Sequence, residues 1–264
     1  MSKNYENGIV ASGAGFPSDI SKDIEVTGDV FWLNSALGND ANAGTNRSEP
    51  KATITSAIAA ATANNGDLII IEPSHEETIT AEIDVDKAGI RILGLGSGST
   101  KPRFTVDFAG DGFNITANRV ELNNLKFPIG TTANNTSRIN LASPGSRVFG
   151  CVFECGENDI ETITIPTAGK DCEINACTFT IVEDGPDSGI EIESATALGL
   201  KVIGCQFDGG DFNFDSGAIF SSVSHTEFLY RDNVLINQAH IIHNSESKGQ
   251  AAGTVMGDGS RLEI

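Results

Sequence analysis

Basic side chains are scarce in this chain of 264 residues: 17 Lys and Arg stand against 36 Asp and Glu, a formal net charge of −19. That balance excludes nucleic acid as an expected partner, because a polyanion is repelled and no Lys/Arg cluster breaks the acidic background. Long apolar runs are missing too. The longest, Leu68–Ile71 and Ala57–Ala61, hold four and five residues, against the roughly 18 that a membrane-spanning helix needs, so no membrane partner is expected. The opening Met-Ser-Lys-Asn-Tyr-Glu-Asn-Gly has no apolar core of a secretory leader, and the chain is expected to stay in a reducing cytosol after synthesis. Tryptophan occurs once and tyrosine twice, so the exposed aromatic platforms of sugar-binding grooves have few candidates. Trp32 lies in the first strand, Tyr230 at an inward position, and Tyr5 alone is free. What is present is 39% hydrophobic residues with 14 Phe, enough for a core and too many for a disordered acidic chain.

The second feature is a repeat. Val120-Glu-Leu-Asn-Asn-Leu-Lys-Phe127 is echoed by Ser146–Phe153, Cys172–Phe179, Leu200–Phe207 and Phe228–Leu235, and more loosely by Ile90–Ser97. The last positions fall at 97, 127, 153, 179, 207 and 235, separations of 30, 26, 26, 28 and 28. Apolar residues mostly occupy positions 1, 3, 6 and 8 of the units, so the side-chain alternation of a strand reverses between positions 3 and 6 and the chain must turn a corner there. The corner pairs are Leu93-Gly94, Asn123-Asn124, Phe149-Gly150, Asn175-Ala176, Ile203-Gly204 and Arg231-Asp232, rich in residues that tolerate a left-handed backbone. A further strand is expected between units at Phe113–Thr116, Arg138–Leu141, Thr162–Ile165, Gly189–Ile192 and Ala218–Phe220. Short strands, a tight corner and a period of 26 to 30 describe an all-β parallel β-helix of about six or seven turns.

Stacking the units yields columns. Position 2 reads Arg91, Glu121, Arg147, Glu173, Lys201, Leu229, an outward ladder of alternating charge. Position 6 reads Leu95, Leu125, Cys151, Cys177, Cys205, Asn233, an inward column holding three of the five cysteines. Cys172 falls at inward position 1, and Cys155 falls outside the columns. Cys151-x-x-x-Cys155 and Cys172-x-x-x-x-Cys177 lack the CxxC pairs and histidine spacing of a zinc site, so the cysteines are expected to be reduced core residues.

Upstream, Phe31-Trp-Leu-Asn-Ser reads as a strand and Gly38–Gly44 as a loop. Residues 50–64 read as a capping helix with Ile54, Ala57, Ile58 and Ala61 on one face, and Asp67–Pro73 as a buried strand. The run Leu33-Asn-Ser-Ala-Leu-Gly-Asn-Asp-Ala-Asn-Ala-Gly44, then Pro50-Lys-Ala-Thr-Ile54, then Gly66-Asp-Leu-Ile-Ile-Ile-Glu-Pro-Ser-His-Glu-Glu-Thr-Ile79, resembles the opening of right-handed β-helix domains of the pectin-lyase-like superfamily, over residues 30 to 240. The resemblance implies the fold. It leaves chemistry open, since that superfamily includes polysaccharide lyases, glycoside hydrolases, phage tailspikes and catalytically silent virion proteins.

Enzymes of that kind use acidic Ca²⁺ ligands with an Arg or Lys base, or paired Asp residues. Asp159, Glu161, Asp184, Asp187, Glu191, Glu193, Asp208, Asp211 and Asp215 are available, and none completes such a pattern. Asn65-Gly-Asp67 and Asn213-Phe-Asp215 match only an isolated hydrolase triplet. Asp211-Phe-Asn213-Phe-Asp215 starts like a calcium loop, but Ser216 and Ser222 replace its Gly and Glu, so weak Ca²⁺ binding is the most that cofactor reasoning allows. His75, His225, His240 and His243 read as structural or surface residues. No catalytic, cofactor or metal residue is assigned.

The domain reading is an N-terminal arm at residues 1–29, the β-helix at 30–243 and a C-terminal extension at 244–264. The functional expectation is a non-enzymatic bacteriophage virion protein, a capsid decoration or other surface component. It would be made in the host cytoplasm, assemble as a homo-oligomer with a trimer favoured, and bind a capsid or other virion protein. The alternatives are a polysaccharide lyase or glycoside hydrolase of the tailspike depolymerase kind, and a carbohydrate-binding module.

Overall fold

A computed structural model describes residues 26–131, 135–156, 159–209, 214–221, 223–224, 226–237, 241–243 and 248–252. It is a right-handed parallel β-helix built of three parallel sheets. The first sheet has nine strands, running from Val30–Leu33 through Leu68–Ile71, Arg91–Gly94, Glu121–Asn123, Arg147–Phe149, Glu173–Asn175 and Lys201–Ile203 to Thr226–Arg231 and Lys248–Ala252. Positions 6 to 8 of the repeat supply the second sheet, which begins at Glu76–Ile79 and ends at Val234–Ile236 with seven strands. The third sheet also has seven, from Ile83–Asp84 to Ile241–His243.

The corner falls where the alternation reverses. Asn124, Gly150, Ala176, Gly204 and Asp232, all at position 5, have φ between 52° and 61°. Two of them are glycines, and the others carry the short or polar side chains that lose least in that conformation. The first unit departs from this pattern: Gly94 continues the strand and the left-handed residue is Gly96. Leu95 is accordingly half-buried and packs with Val30, Trp32, Leu68 and Ile70 in a small cluster apart from the main core.

The columns are those the spacing implies. Arg91, Glu121, Arg147, Glu173, Lys201 and Leu229 are successive register partners. Inside, Phe127, Phe153, Phe179 and Phe207 stack with ring centroids 5.1, 4.8 and 4.6 Å apart and planes within 13° of parallel. Leu125, Cys151, Cys177 and Cys205 are buried beside them. Asn233 ends that column by accepting from the Cys205 N–H (2.9 Å) and donating to the Val202 carbonyl (2.9 Å), so its buried amide is paired on both sides. None of the five cysteines is in a disulfide. Cys155 corrects the sequence reading: it is fully buried, its strand extends two residues beyond Phe153, and its Sγ lies 3.3 Å from Thr162 Oγ1.

The N-terminal end is closed by a helix shorter than the expected span, Ile54–Ala60, capped by Thr53. Its Ile54, Ala57 and Ile58, with Ala61, join the main core. Asp40 fixes its start by accepting from Ala52 N, Thr53 N and Thr53 Oγ1. At the other end, Lys248–Ala252 pairs in parallel with Thr226–Arg231, so the boundary expected at 243 falls inside the stack. Residues 1–25 of the expected arm and 253–264 of the extension lie outside the described residues. Among the described residues no helix is long and apolar enough to cross a membrane.

Candidate functional site

The third sheet bends the opposite way from the corner. In its five central strands two consecutive residues turn inward: Gly112-Phe113, Arg138-Ile139, Thr162-Ile163, Gly189-Ile190 and Ala218-Ile219 are all buried. Arg138 reaches into the core to donate to the Phe127 carbonyl, and a Cβ on Gly189 would meet the rings of Phe207 and Phe214. Two inward residues in succession fold the strand outward, so the residues on either side of the pair face one another across a concave outer surface.

Two outward columns line this trough. One is Asp111, Ser137, Glu161, Ser188, Gly217, and the other is Asn114, Asn140, Thr164, Glu191, Phe220. Although they point away from the core, Ser137, Glu161, Thr164 and Ser188 are buried against one another. Their hydrogen bonds follow a diagonal, each residue of the first column meeting the second column one turn further on. Asp111 accepts from Asn140 Nδ2 at 2.9 Å, Thr164 Oγ1 donates to Ser137 Oγ at 3.3 Å, and Glu161 shares a hydrogen bond with Glu191. Vertical contacts add Ser137 Oγ to Asp111 (2.8 Å) and Thr164 Oγ1 to Asn140 Oδ1 (3.3 Å).

The Glu161–Glu191 contact sets the electrostatics. Burial, the hydrogen bond that protonated Glu161 donates to Glu191, and the negative charges of Glu191, Asp187 and Glu193 push the Glu161 carboxyl up to about 9. Two carboxylates in contact away from water cannot both ionise, so at neutral pH Glu161 holds a proton. Burial and the charges of Glu191 and Asp111 raise Glu193 as well. No Lys or Arg stands in either column.

Of the acidic residues available in the sequence, Glu161, Asp187, Glu191 and Glu193 therefore come together, joined by Asp111. Asp208 is elsewhere, on the second sheet, where Asn237 Nδ2 donates to it at 2.8 Å. Asp184 and Asp215 are exposed in loops, Asp159 opens the strand Asp159–Ile165, and Asp211, Asn213 and Ser222 of the calcium-like run lie outside the described residues. Asp67 of the other triplet is buried at the helical cap, accepting from Asp29 N, Thr62 N and Asn65 Nδ2, a purely structural tie. His75 is likewise structural. Its Nδ1 accepts from Ser35 N (3.0 Å), which leaves the proton on Nε2 for Glu77 (3.2 Å). His225 and His240 lie outside the described residues. Among the described residues no group of three or more His, Cys, Asp or Glu is arranged to hold a metal ion.

No protein-family model matches the chain, and no curated protein matches it. Similar folds occur among solved structures. A Geobacillus virus E2 protein, ORF18, superimposes with a TM-score of 0.53 at 13% identity over 76% of this chain and 44% of its own. The GH136 lacto-N-biosidase from Eubacterium ramulus does so with a TM-score of 0.55 at 11% identity over 86% of this chain and 55% of its own. The chain thus spans about half the length of these structures, and the likeness is one of fold, the parallel β-helix.

Proposed function

We propose that this chain is a glycoside hydrolase of the β-helix type, acting in the trough of the third sheet with Glu161 as its acid. The observation that carries the reading is the buried pairing of Glu161 with Glu191, which favours a proton on Glu161 at neutral pH. Glycosidic bonds open when a carboxylic acid protonates the departing oxygen while a second carboxylate attacks or activates water, and a raised pKa is what keeps such an acid loaded. Glu191 touches Glu161, closer than the roughly 5 to 9.5 Å that separates such working pairs. The second carboxylate in this reading is therefore Glu193, two residues further along the chain, just past the strand's end, and near enough for its charge to raise Glu161. The step then balances: water gives a proton to Glu193 and its oxygen to the anomeric carbon, and Glu161 gives its proton to the leaving alcohol. The fold shared with a lacto-N-biosidase supports the reading.

The test is release of reducing ends from a panel of neutral and uronate oligosaccharides, with and without Ca²⁺, between pH 4 and 9. Hydrolysis that falls at least a hundredfold in Glu161→Gln and in Glu193→Gln is expected. Folded protein that releases nothing from any glycan overturns it.

A second reading, a trimeric virion component bound to a capsid or other virion protein, is favoured by the likeness to the Geobacillus virus E2 protein. Native mass spectrometry for the trimer and co-sedimentation with phage particles test it. The two readings are compatible, since a virion can carry a glycan-cleaving protein.

A further inference from the structure

The diagonal rule of the trough breaks at the turn that follows the acid pair, and the break there points to a ligand. Asp111–Asn140, Ser137–Thr164 and Glu161–Glu191 satisfy one another. The next diagonal pair is Ser188 and Phe220, and a phenyl ring offers no hydrogen bond in that plane. Ser188 Oγ is fully buried and has no partner, although buried hydroxyls are nearly always paired. It stands directly below Glu161 in the same column and so points into the same trough. Phe220 stands directly below Glu191, partly exposed, with an outward ring.

We infer that Ser188 and Phe220 form the binding subsite beside the acid pair and that it takes an uncharged pyranose unit, a neutral sugar rather than a uronate. This rests on the glycan reading above and deepens it. A sugar ring has an apolar C–H face and a rim of hydroxyls, and the subsite offers the counterpart of each: an aromatic surface from Phe220, a hydroxyl without a partner from Ser188, and an acceptor from the Glu191 carboxylate. The charge selects against acidic sugars. Asp187, Glu191 and Glu193 place negative charge beside Glu161 at this turn, and the columns hold no cation that could receive a uronate carboxylate. A carboxylate brought beside Glu161 meets only like charge, which costs binding.

Binding separates this inference from turnover. The intact protein and its Glu161→Gln variant are titrated calorimetrically at low temperature with cello-, xylo-, manno- and galacto-oligosaccharides, and in parallel with oligogalacturonate and oligomannuronate. At least one neutral series is expected to bind and neither uronate series. Phe220→Ala should weaken that binding at least tenfold, and Ser188→Ala several-fold. Ser188→Ala removes a hydroxyl that has no protein partner, so its melting temperature should match or exceed that of the parent. Neutral binding without hydrolysis would sustain the subsite and overturn the hydrolase reading; hydrolysis of uronates would do the reverse. Absence of neutral binding, or neutral binding indifferent to both substitutions, overturns the inference. So does a Ser188→Ala variant that loses stability and keeps its affinity, because the hydroxyl would then serve the fold.

Discussion

Glu161 and Glu191 meet across the bend of the third sheet, one turn of the helix apart, and share a single proton. Nothing in the strand itself demands two acids there. The same diagonal is filled one turn earlier by Ser137 and Thr164 and before that by Asp111 and Asn140, pairs that hydrogen-bond without a charge conflict. Polar pairs of those kinds would satisfy the Glu161 site at lower electrostatic cost, so the acid pair is a departure in the direction of chemistry.

The pair makes stability depend on pH in a defined direction. Folded Glu161 keeps its proton up to about pH 9, whereas an unfolded chain releases it near 4.5. Between those values the folded state binds more protons, so stability must fall as the pH rises. One proton corresponds to a slope of at most about 1.4 kcal/mol per pH unit. Thermal unfolding from pH 5 to 9 should show the decline, and Glu161→Gln should flatten it and melt higher at pH 8. Parallel profiles for the two proteins would refute the shared proton.

The stacked rings carry much of the core. Phe153 and Phe179 sit in the middle of the four-ring column, each fully buried with a parallel neighbour on both sides. Truncating either to Ala removes its dispersion contacts and leaves a cavity the neighbouring turns cannot fill without losing register. The expected cost is about 3–5 kcal/mol by urea denaturation. A cost below 1 kcal/mol would mean the column repacks.

Burial pushes the Cys177 thiol well above its ordinary value, and that of Cys172 up to about 11. The thiolate is the reactive form and all five thiols are buried away from reagent, so the native protein should not react with an aromatic disulfide reagent at pH 8, while denatured protein should titrate five thiols. Rapid labelling of Cys177 in the native state would contradict the inward column.

Much of this architecture was legible. The corner was visible because Asn, Gly and Asp recur at one position while the apolar alternation reverses around it, and the outward column of the first sheet because its charges alternate in sign. The trough was not. Its bend is made by inward pairs such as Thr162-Ile163, Arg138-Ile139 and Gly189-Ile190, in which one member is polar, charged or lacks a side chain, so no apolar period marks it. The partners Glu161 and Glu191 are 30 residues apart, and only the register of the third sheet brings them together. Aligning the units on Ile139, Ile163 and Ile190 would have put Ser137, Glu161 and Ser188 in one column and Asn140, Thr164 and Glu191 in the other. Cys155 was missed for a related reason: its strand outruns the eight-residue unit, so the register used for counting stopped short of it.

The corner offers the last prediction. At position 5, Gly150 and Gly204 adopt the left-handed conformation without cost, and Asn124 does so with its Nδ2 donating to the Gly94 carbonyl at 2.7 Å. Ala176 has neither advantage. Its φ is 52°, where the Cβ of an L-residue crowds the following carbonyl at a cost of roughly 1–2 kcal/mol. Glycine there removes that strain, while the looser unfolded chain it creates takes back about 0.4–1 kcal/mol. Ala176→Gly should therefore stabilise the protein by about 0.5–1 kcal/mol, seen as a rise in the urea midpoint with an unchanged slope. Ala176→Val should lower the midpoint, because a β-branched side chain tolerates positive φ least. If glycine destabilised and valine did not, the corner would lie at another residue and the register of the stack would have to shift with it.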